Sequence, residues 1–204
     1  MVLTVSPVPR IAIVIASTRA ERFADHPLAW LLEQLGTRDD LELDVIDLRD
    51  HPLPFYDLAT APAWAQRTYT TDAERALGER IDAADGFVLL TNELNHGPSA
   101  ALKNTLDHYF VEWMHKPVAF VGYGNVGGAR AIEQLRQVVA ELNMVSVRET
   151  VGILGFQLAP IRTDPAAAAE IFGLLEPRLK AMTESLLWWT RALKAARDTE
   201  RPAG

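Results

Sequence analysis

The sequence contains no cysteine. That absence excludes a disulfide framework, a thiolate nucleophile and any zinc or iron–sulfur site held by cysteine, and it suits a reducing cytoplasm. Surplus positive charge is missing too: 20 Lys and Arg stand against 27 Asp and Glu, for a net charge of −7. Nucleic-acid binding rests on neutralising phosphates with excess cations, so no nucleic-acid partner is expected. No apolar run approaches the roughly 20 residues of a membrane helix, and the first residues lack the basic, apolar, small-residue order of a signal peptide. The expectation is a cytoplasmic protein with no membrane partner. Any phosphorylated ligand must then be held by local devices.

What is present is an ordinary globular composition, 204 residues with 49% hydrophobic and 23% charged. A chain of this length buries roughly 70% of its unfolded surface without a covalent or metal staple. One domain is expected over residues 1–204, with residues 1–9 and 198–204 as tails. Residues 11–16 form a continuous apolar run rich in β-branched side chains, and similar runs recur at 43–48, 86–90 and 118–121, with a weaker one at 144–147. Runs without alternation read as strands covered on both faces. Helical patterns lie between them at 27–35, 73–84, 99–110 and 129–142. A closing one at 177–195 carries Leu179, Met182, Leu186, Trp189 and Leu193 at three-and-four spacing.

Alternation of this kind predicts an α/β, doubly wound parallel sheet with helices on both faces. In the five-stranded order 2-1-3-4-5, ligands bind beyond the carboxyl ends of the strands, between the loops after strands one and three.

The first of those loops carries Ser17, Thr18, Arg19, Ala20, Glu21 and Arg22 ahead of a helix near Pro27. Hydroxyls, guanidinium groups and free backbone N–H groups near a helix start suit a phosphate; the alternative is a capped turn with solvated arginines. No lysine follows a Walker-type glycine spacing. The second loop carries Asn92, Glu93, Leu94, Asn95, His96, Gly97 and Pro98 before Ser99. Gly97 and Pro98 impose a sharp turn that can present backbone amides and carbonyls to a flat heterocycle, or simply lead into a helix capped by Ser99. After strand four, Gly122, Gly124 and Gly127 match G-x-G-x-x-G, with Glu149 downstream at about the dinucleotide spacing. Read alone, the motif suggests a Rossmann site. That fingerprint belongs to the first strand–helix unit, however, and here the first unit carries Ser17, Thr18 and Arg19.

Taken together, Ser17, Thr18 and Arg19, the stretch from Glu93 to Gly97, Leu102, Lys103, Asn104 and Asp107, and Gly127 with Gly128 resemble the NADPH-dependent FMN reductase family of flavodoxin-like proteins over roughly residues 10–150. The resemblance implies FMN as cofactor, NADPH or NADH as hydride donor, and free flavin, a quinone or another small molecule as acceptor. It implies a phosphate site at Ser17, Thr18, Arg19 and Arg22, and a ring site along Asn92, Glu93, Leu94 and Asn95. The loop of Tyr123, Gly124, Asn125 and Gly127 would approach the ring edge, with Tyr123 able to stack. Leu94 stands where the family usually carries a tyrosine. Because the cofactor performs the chemistry, no catalytic side chain is expected. The alternative is a flavodoxin-type electron carrier that does not oxidise nicotinamide.

His108, Glu112 and His115 would share a face if one helix ran through them, but Pro117 follows and Tyr109, Phe110 and Trp113 crowd the segment. A subunit contact is expected there rather than a metal, giving a homodimer or homotetramer. Residues 52–70 make a long connection of the kind that forms lids or interface arms, and Trp188 with Trp189 suggests core plus interface.

Overall fold

In the computed structural model, which describes residues 8–199, the apolar runs become five strands: β1 (Arg10–Ile15), β2 (Glu42–Asp47), β3 (Gly86–Asn92), β4 (Pro117–Gly124) and β5 (Val145–Leu154). They pair in parallel in the order β2-β1-β3-β4-β5. Successive side chains alternate between sheet faces. Ile11, Ile13 and Ile15 therefore pack against α1 (Asp25–Leu35), α6 (Gly155–Thr163) and α7 (Pro165–Thr199). Ala12 and Val14 face α3 (Asp72–Ala83), α4 (Ala100–His108) and α5 (Ala129–Glu141). A short α2 (Pro62–Ala65) interrupts the long connection after β2.

Three elements exceed their sequence patterns. β5 runs to Leu154, well beyond residue 147, following β4 past an irregularity between Val118 and Phe120. α6 is only weakly amphipathic and contains Pro160, so it has no clear periodic signature. α7 begins at Pro165, where a run of alanines supplies helix propensity without an apolar stripe. The expected tails are also trimmed. Pro9 is buried and its carbonyl accepts from the Glu42 N–H, and residues 198 and 199 continue α7. Residues 1–7 and 200–204 of those tails lie outside the described residues.

The aromatic turn after α4 departs from expectation. Trp113 is wholly buried, with its ring 4.7 Å from that of Phe87, and Tyr109 is buried with its hydroxyl donating to the Glu74 carbonyl at 2.9 Å. Phe110 is half-buried. Tyr109 and Trp113 belong to the layer beneath the sheet, so they cannot supply the subunit contact. α4 ends at His108, which removes the continuous helix needed to align His108, Glu112 and His115. Glu112 instead accepts from the Tyr69 hydroxyl at 2.7 Å and the Phe110 N–H at 3.2 Å. No helix among the described residues is long and apolar enough to cross a membrane.

Candidate cofactor site

At the carboxyl ends of β1, β3 and β4 the strand alternation carries one step further. Ser17, Asn92 and Tyr123 each follow by two residues an inward-facing side chain of registered strands: Ile15, Leu90 and Val121. All three are therefore on one face, and all are buried. Tyr123 packs with its ring centroid 5.0 Å from that of Phe23, so the ring expected to stack on a ligand is part of the core. Burial pushes the Tyr123 phenol up, against the opposing pull of Ser17, Arg22 and Arg19. Asn92 has a buried Oδ1 with no hydrogen-bond partner, a deficit of about 1–3 kcal/mol that Trp30 Nε1, Trp113 Nε1 and Thr183 Oγ1 share elsewhere in the core.

The loop from Ser17 to Ala24 divides its cations between two tasks. Arg22 is buried, and its guanidinium donates to Asp47 Oδ1 at 2.6 Å and Oδ2 at 2.5 Å, to Asp25 at 2.7 Å and to the Ser17 carbonyl at 2.9 Å. Four bonds leave it no fork for a phosphate, so the sequence expectation for Arg22 is corrected: it braces the loop. Burial pushes the Asp47 carboxyl up, but Arg22 and the Arg49 N–H outweigh that and hold it below the ordinary carboxylate value. Thr18 and Arg19 are exposed. Among the described residues, no carbonyl or side chain accepts from the N–H groups of Thr18, Arg19, Ala20 or Glu21. A row of unpartnered N–H groups beside a cation is the donor set a phosphate requires.

After β3 the chain makes a two-residue hairpin. Leu94 and Gly97 exchange both backbone hydrogen bonds at 2.9 Å, while Asn95 and His96 adopt φ of 48° and 69°. Positive φ at both central positions is the type I′ geometry, which asparagine tolerates well. Leu94 and Asn95 are exposed on this turn. Glu93 points away from it, accepting from the Arg130 N–H at 3.0 Å and the Arg130 guanidinium at 2.9 Å, so its carboxylate caps α5. Gln134 adds a bond to the His96 carbonyl at 2.8 Å. Ser99 caps α4 through the Leu102 N–H at 3.2 Å and donates to the Ala16 carbonyl at 2.7 Å, tying the loop to the end of β1.

The glycine pattern after β4 is a packing device. A Cβ on Gly122 would lie 2.6 Å from the Gly127 carbonyl oxygen, and Gly128 takes φ of 75° where the chain turns into α5. The backbone of β4 and the loop press together with no room for side chains, leaving Asn125 exposed at the tip.

Sequence reasoning missed the role of Asn104. Its amide donates to the Pro54 carbonyl at 2.8 Å and accepts from the Tyr56 N–H at 3.2 Å, pinning the long connection onto α4 beside the loop after β1. Between them lies a cavity of about 340 Å³ lined by Thr18, Arg49, His51 and Asn104. A larger one of about 430 Å³ lies at the opposite, amino-terminal ends of the strands. There Asp85 binds Lys194 and Arg197, and Asp82 binds Arg67, so these charges answer one another rather than a ligand.

A family model described as NADPH-dependent FMN reductase matches residues 9–157. The chain is 35% identical to a NAD(P)H-dependent FMN reductase of Schizosaccharomyces pombe over 136 residues, covering 67% of this chain and 68% of that protein. It is 31% identical to a 2-hydroxy-1,4-benzoquinone reductase of a Burkholderia species over 150 residues, covering 69% and 75%. Among solved structures, a flavoenzyme NAD(P)H:(acceptor) oxidoreductase of Paracoccus denitrificans superposes with a TM-score of 0.63 at 21% identity, covering 87% of this chain and 99% of that one. That last likeness concerns the fold alone.

Proposed function

Because the chain belongs to the NADPH-dependent FMN reductase family, we propose that the loops after β1, β3 and β4 cradle FMN and that a small quinone-like molecule is the acceptor. The protein is an FMN-dependent NAD(P)H oxidoreductase, which sets aside both the Rossmann and the electron-carrier alternatives. When bound, FMN would supply the hydride chemistry between the nicotinamide and the acceptor. This chain's own residues bind, orient and exclude water. Thr18, Arg19 and the N–H groups from Thr18 to Glu21 hold the phosphate. Leu94, Asn95 and the backbone of Gly124, Asn125 and Gly127 would line the ring, and the Asn92 carboxamide belongs to the same site. Ser17, Arg22, Glu93 and Tyr123 support these groups from behind.

The observation that carries this reading is the row of unpartnered N–H groups beside Arg19 at the point where the strand order reverses. The quinone-like acceptor is favoured by the Burkholderia relative and by the exposed, apolar Leu94 on the hairpin, which offers room for a flat molecule where the family's tyrosine would stand. The physical test is FMN titration of apo-protein. Arg19→Ala removes a charge-assisted contact and is expected to weaken FMN by about 1.5–3 kcal/mol, roughly ten- to a hundredfold. Parent-like affinity in that variant would refute the phosphate assignment, and a parent protein that oxidises NADPH yet reduces no quinone would refute the acceptor. A cytoplasmic location and a homodimer or homotetramer belong to the same proposal.

A further inference from the structure

Three carbonyl oxygens of the first loop, at alternate positions, each accept from a different arginine. Arg22 Nη1 donates to Ser17 O at 2.9 Å, Arg49 Nη2 to Arg19 O at 2.7 Å, and Arg162 Nη2 to Glu21 O at 3.4 Å. The three guanidinium groups come from separate places: Arg22 from the loop itself, Arg49 from the turn after β2, and Arg162 from α6. We propose that Arg49 and Arg162 are positioning residues for the flavin phosphate, holding these carbonyls so that the N–H groups of Ala20 and Arg22, which share their peptide planes, remain turned to an anion. The proposal rests on the reading of residues 17–22 as the phosphate loop.

Peptide N–H and C=O groups point in opposite directions from the same plane. A loop that offers its amides to a phosphate must therefore dispose of its carbonyls, whose partial negative charge repels the same anion. Hydrogen-bonding each carbonyl to a guanidinium does this twice over. It fixes the peptide plane, and it places a cation behind the carbonyl, where the field still favours an anion in front. The loop needs such fixing, because Glu21 is held at φ of 46°, a left-handed conformation that non-glycine residues rarely adopt. Each arginine is itself anchored. Arg22 is gripped by Asp47, which also accepts from the Arg49 N–H at 3.0 Å, so one carboxylate sets two of the three arginines. Arg162 lies over the Phe23 ring at 5.6 Å. In a chain of net charge −7, this convergence of cations on one short loop stands out from the general charge balance.

The test uses the apo-protein titrated with FMN and, separately, with riboflavin, followed by flavin fluorescence. Riboflavin has the same ring and ribityl chain but no phosphate. Arg49→Met and Arg162→Met are each expected to weaken FMN roughly five- to tenfold and to leave riboflavin affinity within about twofold. The FMN deficit should persist at about 1 M salt, where the screening length is only roughly 3 Å. A deficit that salt abolishes would reduce the arginines to distant charges and overturn the proposal. So would an equal loss for FMN and riboflavin, which would mark a general folding role, and so would parent-like FMN affinity in both variants. Arg19→Ala separates the two levels. If it loses FMN while the Met variants do not, the phosphate loop stands and the positioning role falls; if all three variants bind as the parent does, both fall.

Discussion

Arg19 and Arg22 are three positions apart in one loop and have opposite surroundings, the first exposed and the second buried against Asp47 and Asp25. Their difference was not legible in the sequence, because the carboxylate that claims Arg22 lies 25 residues away on β2. Only the sheet register, which sets Ile15 beside Asp47, brings it near the loop. The consequence is measurable. Arg22→Ala leaves Asp47 partly buried and without its main partner, and the cost expected in urea denaturation at pH 7 is about 3 kcal/mol. Asp47 is held below its ordinary value in the fold. Its contribution is therefore fully present above the unfolded carboxylate value of about 3.9 and is lost as pH falls through its folded value. Parent and variant should accordingly converge in stability toward acid. A constant gap between them from pH 7 down to the acid transition would show that the ion pair is not what stabilises the loop.

Elements with a strong period were legible, and those whose ends depend on tertiary contacts were not. The central runs of β1 and β3 are apolar because both of their faces are covered, and each strand lies within a residue or two of its expected bounds. α6 and the first turn of α7 carry proline and alanine in place of a clear apolar stripe, and they form because β5 delivers the chain to the sheet edge beside them. The end of α3 shows the same dependence. Its last carbonyls, at Ile81 and Asp82, accept from the buried Lys116 ammonium at 2.9 and 2.8 Å, a cap drawn from the start of β4. Burial lowers the Lys116 pKa to about 7, with Asp82 and Asp85 opposing that shift and Arg197 and Arg67 adding to it. A base lowered by folding binds fewer protons in the native state than in the unfolded chain. Stability is therefore reduced below pH 7 and recovers as pH rises toward the unfolded lysine value, by up to about 1.4 kcal/mol per pH unit. Tyr69 and Tyr109, both pushed up chiefly by burial, oppose this only above about pH 10. Lys116→Met should flatten the rise between pH 7 and 10, and an unaltered slope in that variant would assign the rise to other groups.

At the scale of the whole molecule, aromatic density alone was a poor guide to association. Tyr109 and Trp113 read as a surface cluster because a sequence does not show that the turn after α4 folds back under β3, where Phe87 receives the Trp113 ring. The large apolar side chains that do meet water lie elsewhere: Phe55 and Trp64 are each 79% exposed on the connection between β2 and α3, and Phe156 on α6 and Trp188 on α7 are exposed as well. The connection is nonetheless well anchored, by Asn104 to Pro54 and Tyr56 and by the Arg67–Asp82 ion pair, so its rings are presented on an ordered scaffold. An ordered arm bearing two bare aromatic rings suits an isologous contact between two copies, each arm covering apolar surface on the other. Light scattering of dilute protein should then give at least twice the chain mass of 22.6 kDa. The double variant Phe55→Ser, Trp64→Ser should shift the protein toward monomer while circular dichroism stays native, since neither ring is in the core. A parent protein of monomer mass would end the oligomer proposal outright. A double variant that remains fully associated would move the contact from the arm to the exposed rings of α6 and α7.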